Sequence, residues 1–286
     1  KRYNVTLDSQ SDTFYFAVAK KPEWISVDAD RILLAERTDN KAEENFVAQW
    51  KYGKNYIDRR EALEYFAKKD MPELAKGLKD KYFRLKNLTI QKLAASPYKT
   101  DAVVLEEIEA LAKSDAHKRV KASAVGFLVK NGDKKYLPII TAAASDSSYS
   151  VACAGLKGLI AADPENAYTL AKKYYGTKAK GELAKEAVNV FLKEGTEADF
   201  EMIGSAYNTA PPSQEKVAMT DKFATYLIKI NDINKVKAGI DYIMNFRNMI
   251  PEQFRGFVDQ SFAETFKKIS DAKGKEVEDY VKSVFK

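Results

Sequence analysis

Residues 56–69 read YIDRREALEYFAKK, and the apolar spacing within them decides the fold. Ala62, Leu63 and Phe66 form a cassette: a small residue, an apolar residue and, after two spacers, a bulky apolar residue. Residues three and four positions apart share one face of a helix. The stretch therefore predicts an amphipathic helix whose apolar face packs on other helices.

Variants of this cassette recur along the chain as TIQKL (89–93), AVGFL (124–128), GLKGL (155–159) and AVNVF (187–191). The first positions of successive cassettes are 27, 35, 31 and 32 residues apart. A unit of two helices and two turns needs roughly thirty to forty residues, so the period is that of a stacked helix pair. We predict a mainly α fold in which residues 41–286 form a HEAT-like α-solenoid, a superhelix of helix pairs. Beyond residue 195 the cassette loosens to ATYLI (224–228) and FAETF (262–266), as expected for terminal units that cap an apolar face.

Local signals punctuate this helical region. Asp163 followed by Pro164 is a specific helix start, and Asp58 with Glu61 three residues later resembles a capping box. The pairs and runs NG (131–132) and APPS (210–213) are expected to separate helices. These signals predict about fourteen helices and no strand after residue 40.

The first forty residues have a different pattern. YNVTL (3–7) and FYFAVA (14–19) are β-branched and aromatic runs separated by polar SQSDT, which predicts a hairpin. KPEWISVD and RILLAE are two further extended runs. Four strands without a second sheet cannot bury both faces, so residues 1–40 are predicted to be a small β-layer from the end of a β-sandwich. The opening KRYNVTLDSQ carries no initiator methionine, and we expect the chain to be a piece of something longer.

The charge pattern favours solvated helix faces. The chain has 47 basic and 41 acidic residues and a net charge of +6. The spacings KxxE and ExxK run throughout, so we expect no nucleic-acid partner. The densest surplus lies in residues 41–100, with fourteen Lys and Arg against eight Asp and Glu. The sequence has no run of about 18 apolar residues, so no membrane span is predicted.

Residue types that carry chemistry are scarce. His117 is the single histidine, and it is expected at a helix start or on the surface; Cys153 lies among small apolar residues and is expected to be buried. Zinc sites need three or four His, Cys or carboxylate ligands, so no metal or catalytic residue is predicted in this chain. YGTKAKG (175–181) lacks the spacing of a phosphate-binding loop and is predicted to be a turn between helices. The sequence does not indicate a cellular compartment.

The aromatic stretch 242–266, YIMNFRNMIPEQFRGFVDQSFAETF, is expected to be core by default, because its apolar residues fall largely at helical spacing. Arg247 and Arg255 sit among them. An arginine on an apolar background can hold a peptide carboxylate, so both are candidates for substrate binding, although snorkelling surface arginines have the same pattern.

At the junction of the two parts the residues resemble a known family. KPEWISVDADRILLAE is followed by FVAQWKY and by YIDRREAL, with Trp24, Asp28, Asp58 and Arg59 in order. This order resembles the C-terminal portion of the zinc aminopeptidases of the aminopeptidase N family, in which a β-sandwich leads into a HEAT-like helical domain. The likeness is sharpest over residues 14–66 and architectural over 67–286.

The resemblance implies a non-catalytic role for this chain. In the family, the HExxH zinc ligands and general base lie in an upstream catalytic domain, and the helical domain encloses the substrate chamber. The implied partners are that upstream domain and the parent's peptide substrate, and the implied cofactor is zinc held upstream. Trp24, Asp28, Asp58 and Arg59 would then serve the junction.

Two other interpretations remain open at this point. A free-standing HEAT-like scaffold would bind a protein partner in its concave surface. A nucleic-acid-binding solenoid would use the basic surplus of residues 41–100, and its binding would depend strongly on salt.

Overall fold

The computed structural model describes residues 1–33 and 38–285, and this part of the chain is mainly α-helical. The mainly α fold predicted from the sequence is thereby confirmed. The chain divides into two compact units, Lys1–Lys99 and Thr100–Lys286. The sequence placed a domain boundary near residue 40, and that boundary stays a prediction.

Unit Lys1–Lys99 is built on three α-helices and a long 3₁₀ segment that follow an extended start. The helices are α1 (Glu43–Tyr52), α2 (Tyr56–Lys68) and α3 (Phe83–Leu93), with 3₁₀ segments at Pro72–Lys79 and Pro97–Thr100. Helix α1 packs on α2. Helix α2, helix α3 and the 3₁₀ segment Pro72–Lys79 pack on one another.

Unit Thr100–Lys286 is a succession of helices joined by short turns. They are α4 (Ala102–Ser114), α5 (Lys118–Asn131), α6 (Leu137–Ala144), α7 (Tyr149–Ala162), α8 (Pro164–Gly176), α9 (Gly181–Glu194), α10 (Phe200–Thr209), α11 (Gln214–Lys229), α12 (Ile233–Met249), α13 (Glu252–Lys273) and α14 (Lys275–Val284). Short 3₁₀ segments lie at Lys134–Tyr136 and Glu197–Asp199.

The packing order in this second unit is regular. Helices adjacent in sequence pack together, as α4 on α5, α6 on α7 and α8 on α9. Helices two apart also pack, in the series α5, α7, α9, α11, α13 and in the series α10, α12, α14. Each helix thus lies mainly against its near neighbours in sequence.

The recurring cassettes lie on the buried faces of these helices. Ala62, Leu63 and Phe66 have no exposed surface, and neither do Leu156 and Leu159 of the GLKGL cassette. Each fully buried leucine or phenylalanine among them stabilises the fold by about 1.5–3 kcal/mol through the hydrophobic effect.

Gly155 shows why the first cassette position must be small. A Cβ atom built on it would lie 2.2 Å from the backbone nitrogen of Ala144 in α6. Helices α6 and α7 therefore approach so closely that only a hydrogen fits between their backbones.

Most of the predicted helix boundaries are observed. The Asp163 carboxylate accepts a hydrogen bond from the Asn166 backbone N–H at 3.3 Å, with Pro164 as the first helical residue. Gly132, with φ of 77°, ends α5 in the left-handed conformation that glycine adopts readily. YGTKAKG forms the turn between α8 and α9, as predicted.

Asp58 is the exception, and its predicted capping role is wrong. Helix α2 begins at Tyr56 after the N-cap residue Asn55, so Asp58 lies within the first turn. Its carboxylate is buried and bonded to Arg31, a partner distant in sequence that a local motif cannot reveal.

The predicted β-layer is not shown. None of the described residues, 1–33 and 38–285, is in a β-strand. YNVTL and FYFAVA do approach each other, since the rings of Tyr3 and Phe16 have centroids 4.4 Å apart. The physical reason for the difference is that strands need a ladder of hydrogen bonds, which these runs do not form here. Residues 34–36 of the run RILLAE lie outside the described residues.

The extended start leaves much apolar surface uncovered. Eleven large apolar side chains between Tyr3 and Leu33 are exposed, and Tyr15 is 90% exposed. So many exposed large apolar side chains in one segment are unusual for the surface of a globular protein, where such residues are normally scattered singly.

Candidate functional site

The two arginines predicted as substrate ligands lie at the turn between α12 and α13. The Arg247 guanidinium donates to both carboxylate oxygens of Asp259, from Nε at 2.7 Å and from Nη2 at 2.9 Å. The hydrogen bond from Arg247 holds the pKa of Asp259 below its usual value. The same guanidinium carbon lies 5.0 Å from the ring centroid of Phe285, a cation–π distance.

Arg255 binds the backbone at the end of α12. Its Nε donates to the Ile250 carbonyl at 3.0 Å and its Nη2 to the Asn248 carbonyl at 3.1 Å. These are carbonyls that the end of a helix leaves without internal partners, so Arg255 caps α12 from the following helix.

The geometry gives both arginines a structural role in the α12–α13 turn. Each guanidinium is already bonded within the chain, Arg247 to Asp259 of α13 and Arg255 to the carbonyls at the end of α12. Their contact with a substrate stays a prediction.

The same turn exposes apolar side chains that the sequence analysis placed in the core by default. Phe246, Phe262 and Phe266 are buried as expected. Phe254 and Phe257, in contrast, are 51% and 84% exposed. Helical periodicity alone could not separate these two groups, because the buried residues of α13 all lie in its second half, from Phe262 to Ser270.

The junction residues of the N-terminal segment form a polar network with α1 and α2. Arg31 donates to the buried carboxylate of Asp58, and the side chains are only 16% and 3% exposed. The Asp28 carboxylate accepts the backbone N–H groups of Ile32 at 3.1 Å and Leu33 at 3.0 Å. The segment that carries the family resemblance is thus held in a defined position.

Two asparagines complete the attachment. Asn45 of α1 donates from Nδ2 to the Glu23 carbonyl at 2.8 Å. Asn55, just before α2, donates to the Ala29 carbonyl at 2.6 Å. Side-chain donors on backbone carbonyls fix the path of the chain without any strand pairing.

A basic cleft that the sequence analysis did not foresee lies in the first unit. It has a volume of about 360 Å³. Its lining consists of Trp50, Lys51, Gly53, Arg59, Lys76, Lys79, Asp80 and Lys81. The surplus of basic residues in 41–100 was the available signal, but three separate segments build the cleft and their convergence cannot be read from local sequence.

The described residues hold no cluster of three or more His, Cys, Asp or Glu side chains that could bind a metal ion. His117 accepts a hydrogen bond from the Arg119 backbone N–H at 3.3 Å, as the N-cap of α5. Cys153 is buried in α7, and burial raises the pKa of its thiol. Both therefore have the structural positions that the sequence predicts.

Within the described part of the chain, no helix combines the length and apolar character needed to cross a membrane. Comparison with known proteins found no matching family model, no matching curated protein and no matching solved structure. The function is therefore argued from the residues and their geometry.

Proposed function

We propose that this chain is the non-catalytic C-terminal region of a zinc aminopeptidase, in which it forms a wall of the substrate chamber. Its helices would act by position and shape. The peptide bond would be cleaved in an upstream domain that supplies the zinc ligands and the general base.

The packing order of the second unit supports a HEAT-like solenoid. In a stack of helix pairs, each helix contacts its partner within the pair and the equivalent helix of the next pair. The series α5, α7, α9, α11, α13 has this second kind of contact. The cassettes at 124, 155 and 187 belong to the first three helices of that series, which ties the sequence period to the packing period.

The observation that carries the proposal is the combination of anchoring and exposure in residues 1–33. Hydrogen bonds from Asn45 and Asn55 and the ion pair of Arg31 with Asp58 fix the end of the segment. Eleven of its large apolar side chains nevertheless remain exposed. A fixed segment with an uncovered apolar surface fits the end of a β-sandwich whose other strands belong to a preceding domain.

The β-layer belongs to this proposal. YNVTL and FYFAVA would become strands when the preceding domain supplies the missing ladder of hydrogen bonds, because isolated two-stranded ribbons are marginal in water. Trp24, Asp28 and Asp58 would serve the junction between sandwich and helices.

The test uses the purified chain. We expect no stoichiometric zinc by metal analysis and no hydrolysis of aminoacyl-anilide substrates, together with strong fluorescence of a hydrophobic dye. A variant with Tyr15→Ser and Phe16→Ser should lose much of that fluorescence, while the matched change of exposed Tyr149→Ser and Val103→Ser in the second unit should lose less. Zinc-dependent hydrolysis by the purified chain would contradict the proposal.

A second candidate function is a free-standing HEAT-like scaffold for a protein partner. The exposed Met249, Phe254 and Phe257 at and after the α12–α13 turn favour it, since methionine and aromatic residues are enriched in protein interfaces. The dye-binding experiment distinguishes the two candidate functions. Dye binding that is lost in a Phe254→Ser, Phe257→Ser variant and kept in the Tyr15, Phe16 variant would favour the scaffold.

A further inference from the structure

Three lysines of the second unit link the C-terminal ends of helices α7, α9, α11 and α13. Lys193, in the last turn of α9, donates from Nζ to the Ile160 carbonyl in the last turn of α7, at 2.9 Å. Lys229, the last residue of α11, donates to the backbone carbonyl of Lys193. Lys273, the last residue of α13, donates to the carbonyl of Ile230, the C-cap residue of α11. We call these three lysines the lysine relay.

The three bonds of the relay follow one pattern. In each of them a lysine at the end of one helix bonds to the end of the helix two before it, and donor and acceptor are 33, 36 and 43 residues apart. Two tyrosines make bonds of the same kind. Tyr174 of α8 donates to the Ala144 carbonyl at the end of α6, and Tyr226 of α11 donates to the Thr196 carbonyl just after α9, at 2.8 Å. Bonds between successive helix ends therefore recur along this unit.

A helix end explains why the partner is a lysine. The last four carbonyls of an α-helix have no partner within the helix, and they carry the negative end of the helix dipole. An ammonium group satisfies such a carbonyl and places a positive charge beside that dipole. Each lysine of the relay also lies in the last turn of its own helix, where a positive charge is favourable. One ammonium group thus stabilises two helix ends.

The bonds of the relay are continuous along the stack. Lys193 takes part in two of them, since its Nζ donates to α7 and its own carbonyl accepts from Lys229. Ile230, which accepts from Lys273, directly follows Lys229 in the chain. Unwinding of the last turn of α11 would therefore disturb the bond to α9 and the bond to α13 together.

We propose that the lysine relay makes the C-terminal ends of α7, α9, α11 and α13 open together, so that order at one helix end favours order at the next. A bond across two helix ends is lost when either end opens, and the coupling between them is necessarily reciprocal. Helix ends are the parts of a structure that open most readily, so a bond there acts on local opening before it acts on global unfolding. The inference concerns the second unit alone and does not rest on the proposed function.

The carboxylate next to the relay does not take the place of its carbonyl partners. Glu194 lies 3.2 Å from the Lys193 ammonium, and the Lys193 side chain is 54% exposed. An exposed ion pair between neighbours in sequence contributes little to stability. The bond to the Ile160 carbonyl is the one that joins α9 to α7.

Hydrogen–deuterium exchange of the full chain, measured by mass spectrometry on peptides from each helix end, tests the proposal. We expect Lys229→Met to raise the exchange rate by about threefold or more at the ends of both α9 and α11, because the lost bond stabilised both. Lys193→Met should have this effect at α7 and α9, and Lys273→Met at α11 and α13. The decisive observation is the increase in the preceding helix, which lies 33–43 residues from the substitution.

Two further variants serve as controls. Lys267→Met removes an exposed lysine of α13 outside the relay, and it should change exchange at the end of α11 by less than about twofold. Lys229→Arg keeps a positively charged donor at the end of α11, so protection of the α9 end should be largely retained. Circular dichroism should show unchanged helix content in each variant, because the relay lysines are exposed or only partly buried.

Three results would overturn the proposal. An increase confined to the helix that carries the substituted lysine would show that each lysine serves its own helix alone. An equal increase throughout the second unit would show a general loss of stability in place of coupling between helix ends. Unchanged exchange at the preceding helix in all three Lys→Met variants would show that the bonds do not couple those ends.

Discussion

Arg31 of the extended N-terminal segment donates to the carboxylate of Asp58, which lies 27 residues later in the first turn of α2. The Asp58 side chain is 3% exposed, so water cannot solvate its carboxylate and Arg31 provides the compensating charge. A buried carboxylate without a cation is strongly unfavourable, and removal of one partner of such a pair destabilises proteins by about 3–5 kcal/mol. The pair therefore fixes the junction that the proposed function requires.

We predict that Asp58→Ala and Arg31→Ala each lower the free energy of unfolding substantially and that the double variant loses less than the sum. Urea unfolding of the four proteins gives the coupling energy. The matched control is the exposed pair of Arg60 and Glu64, with side chains 51% and 44% exposed, whose cycle should give less than about 1 kcal/mol. Additive losses at Arg31 and Asp58 would show that the pair does not hold the junction.

A second prediction concerns the close approach of α6 and α7. Gly155→Ala would bring a methyl group to 2.2 Å from the Ala144 nitrogen, and backbone atoms cannot move aside easily. We expect a loss of about 1–3 kcal/mol or more from overpacking. Gly126→Ala in α5 is the control, since a Cβ there meets nothing within 4 Å. That change should stabilise the helix by about 0.5–1 kcal/mol, and chemical denaturation of both variants distinguishes the opposite signs.

The third prediction is a pH dependence at Asp146. Burial alone would raise its pKa, but hydrogen bonds from the Ser148 backbone N–H, Lys121 and Lys118 outweigh burial and lower the pKa to about 2. The folded-state pKa is below the unfolded value, so this stability is present above about pH 4 and is lost as pH falls toward 2.

The gap between the folded-state pKa of about 2 and the usual aspartate pKa corresponds to about 2 kcal/mol of stability at neutral pH. Solvent screens these interactions little, because the Asp146 side chain is only 9% exposed. Asp146→Asn should therefore lose about that much stability at pH 7 and less at pH 3. The comparison variant Asp279→Asn removes an exposed carboxylate bonded to Lys275 and should change stability by less than about 0.5 kcal/mol at both values. If the stability lost in Asp146→Asn were the same at pH 3 as at pH 7, the lowered pKa of Asp146 would be contradicted.

The fourth prediction concerns the buried Lys216 of α11. Its Nζ donates to the carbonyls of Asn208 at 3.2 Å and Ala210 at 2.7 Å, at the end of α10. Desolvation lowers the pKa of this ammonium. The Lys216 ammonium therefore binds its proton more tightly in the unfolded chain than in the folded protein. The free energy of unfolding of the wild type, compared with that of Lys216→Met, should increase as pH rises toward 10. Denaturation at pH 7 and pH 9.5 measures the change, and a constant difference would show that Lys216 titrates normally.

Local sequence rules predicted the helical part of the fold well because they act over a few residues. The cassette of Ala62, Leu63 and Phe66 is fully buried, and Asp163 with Pro164 begins α8 as expected. These features depend on helix periodicity and on capping, which short stretches specify completely.

Features that depend on distant partners escaped prediction. Asp58 and Glu61 have the spacing of a capping box, yet Arg31 takes the first carboxylate and Lys41 bonds to the second at 2.8 Å. The basic cleft likewise needs residues from three segments. Tertiary packing decides these positions, and no spacing within one segment encodes them.

The strands predicted in residues 1–40 mark a different limit. Their β-branched and aromatic residues favour extended chain, but strand formation also needs a neighbouring strand. The eleven exposed large apolar side chains of residues 1–33 are what the proposed incomplete β-layer would leave uncovered. The proposed preceding domain would supply that neighbour.

We propose that this chain works beside the catalytic domain of a zinc aminopeptidase. Sequencing the transcript upstream of the codon for Lys1 tests it most directly. We predict an open reading frame that continues upstream and encodes an HExxH motif with a further zinc-binding glutamate downstream of it. A start codon directly before Lys1, or an upstream domain without such a motif, would contradict the account and leave a free-standing scaffold.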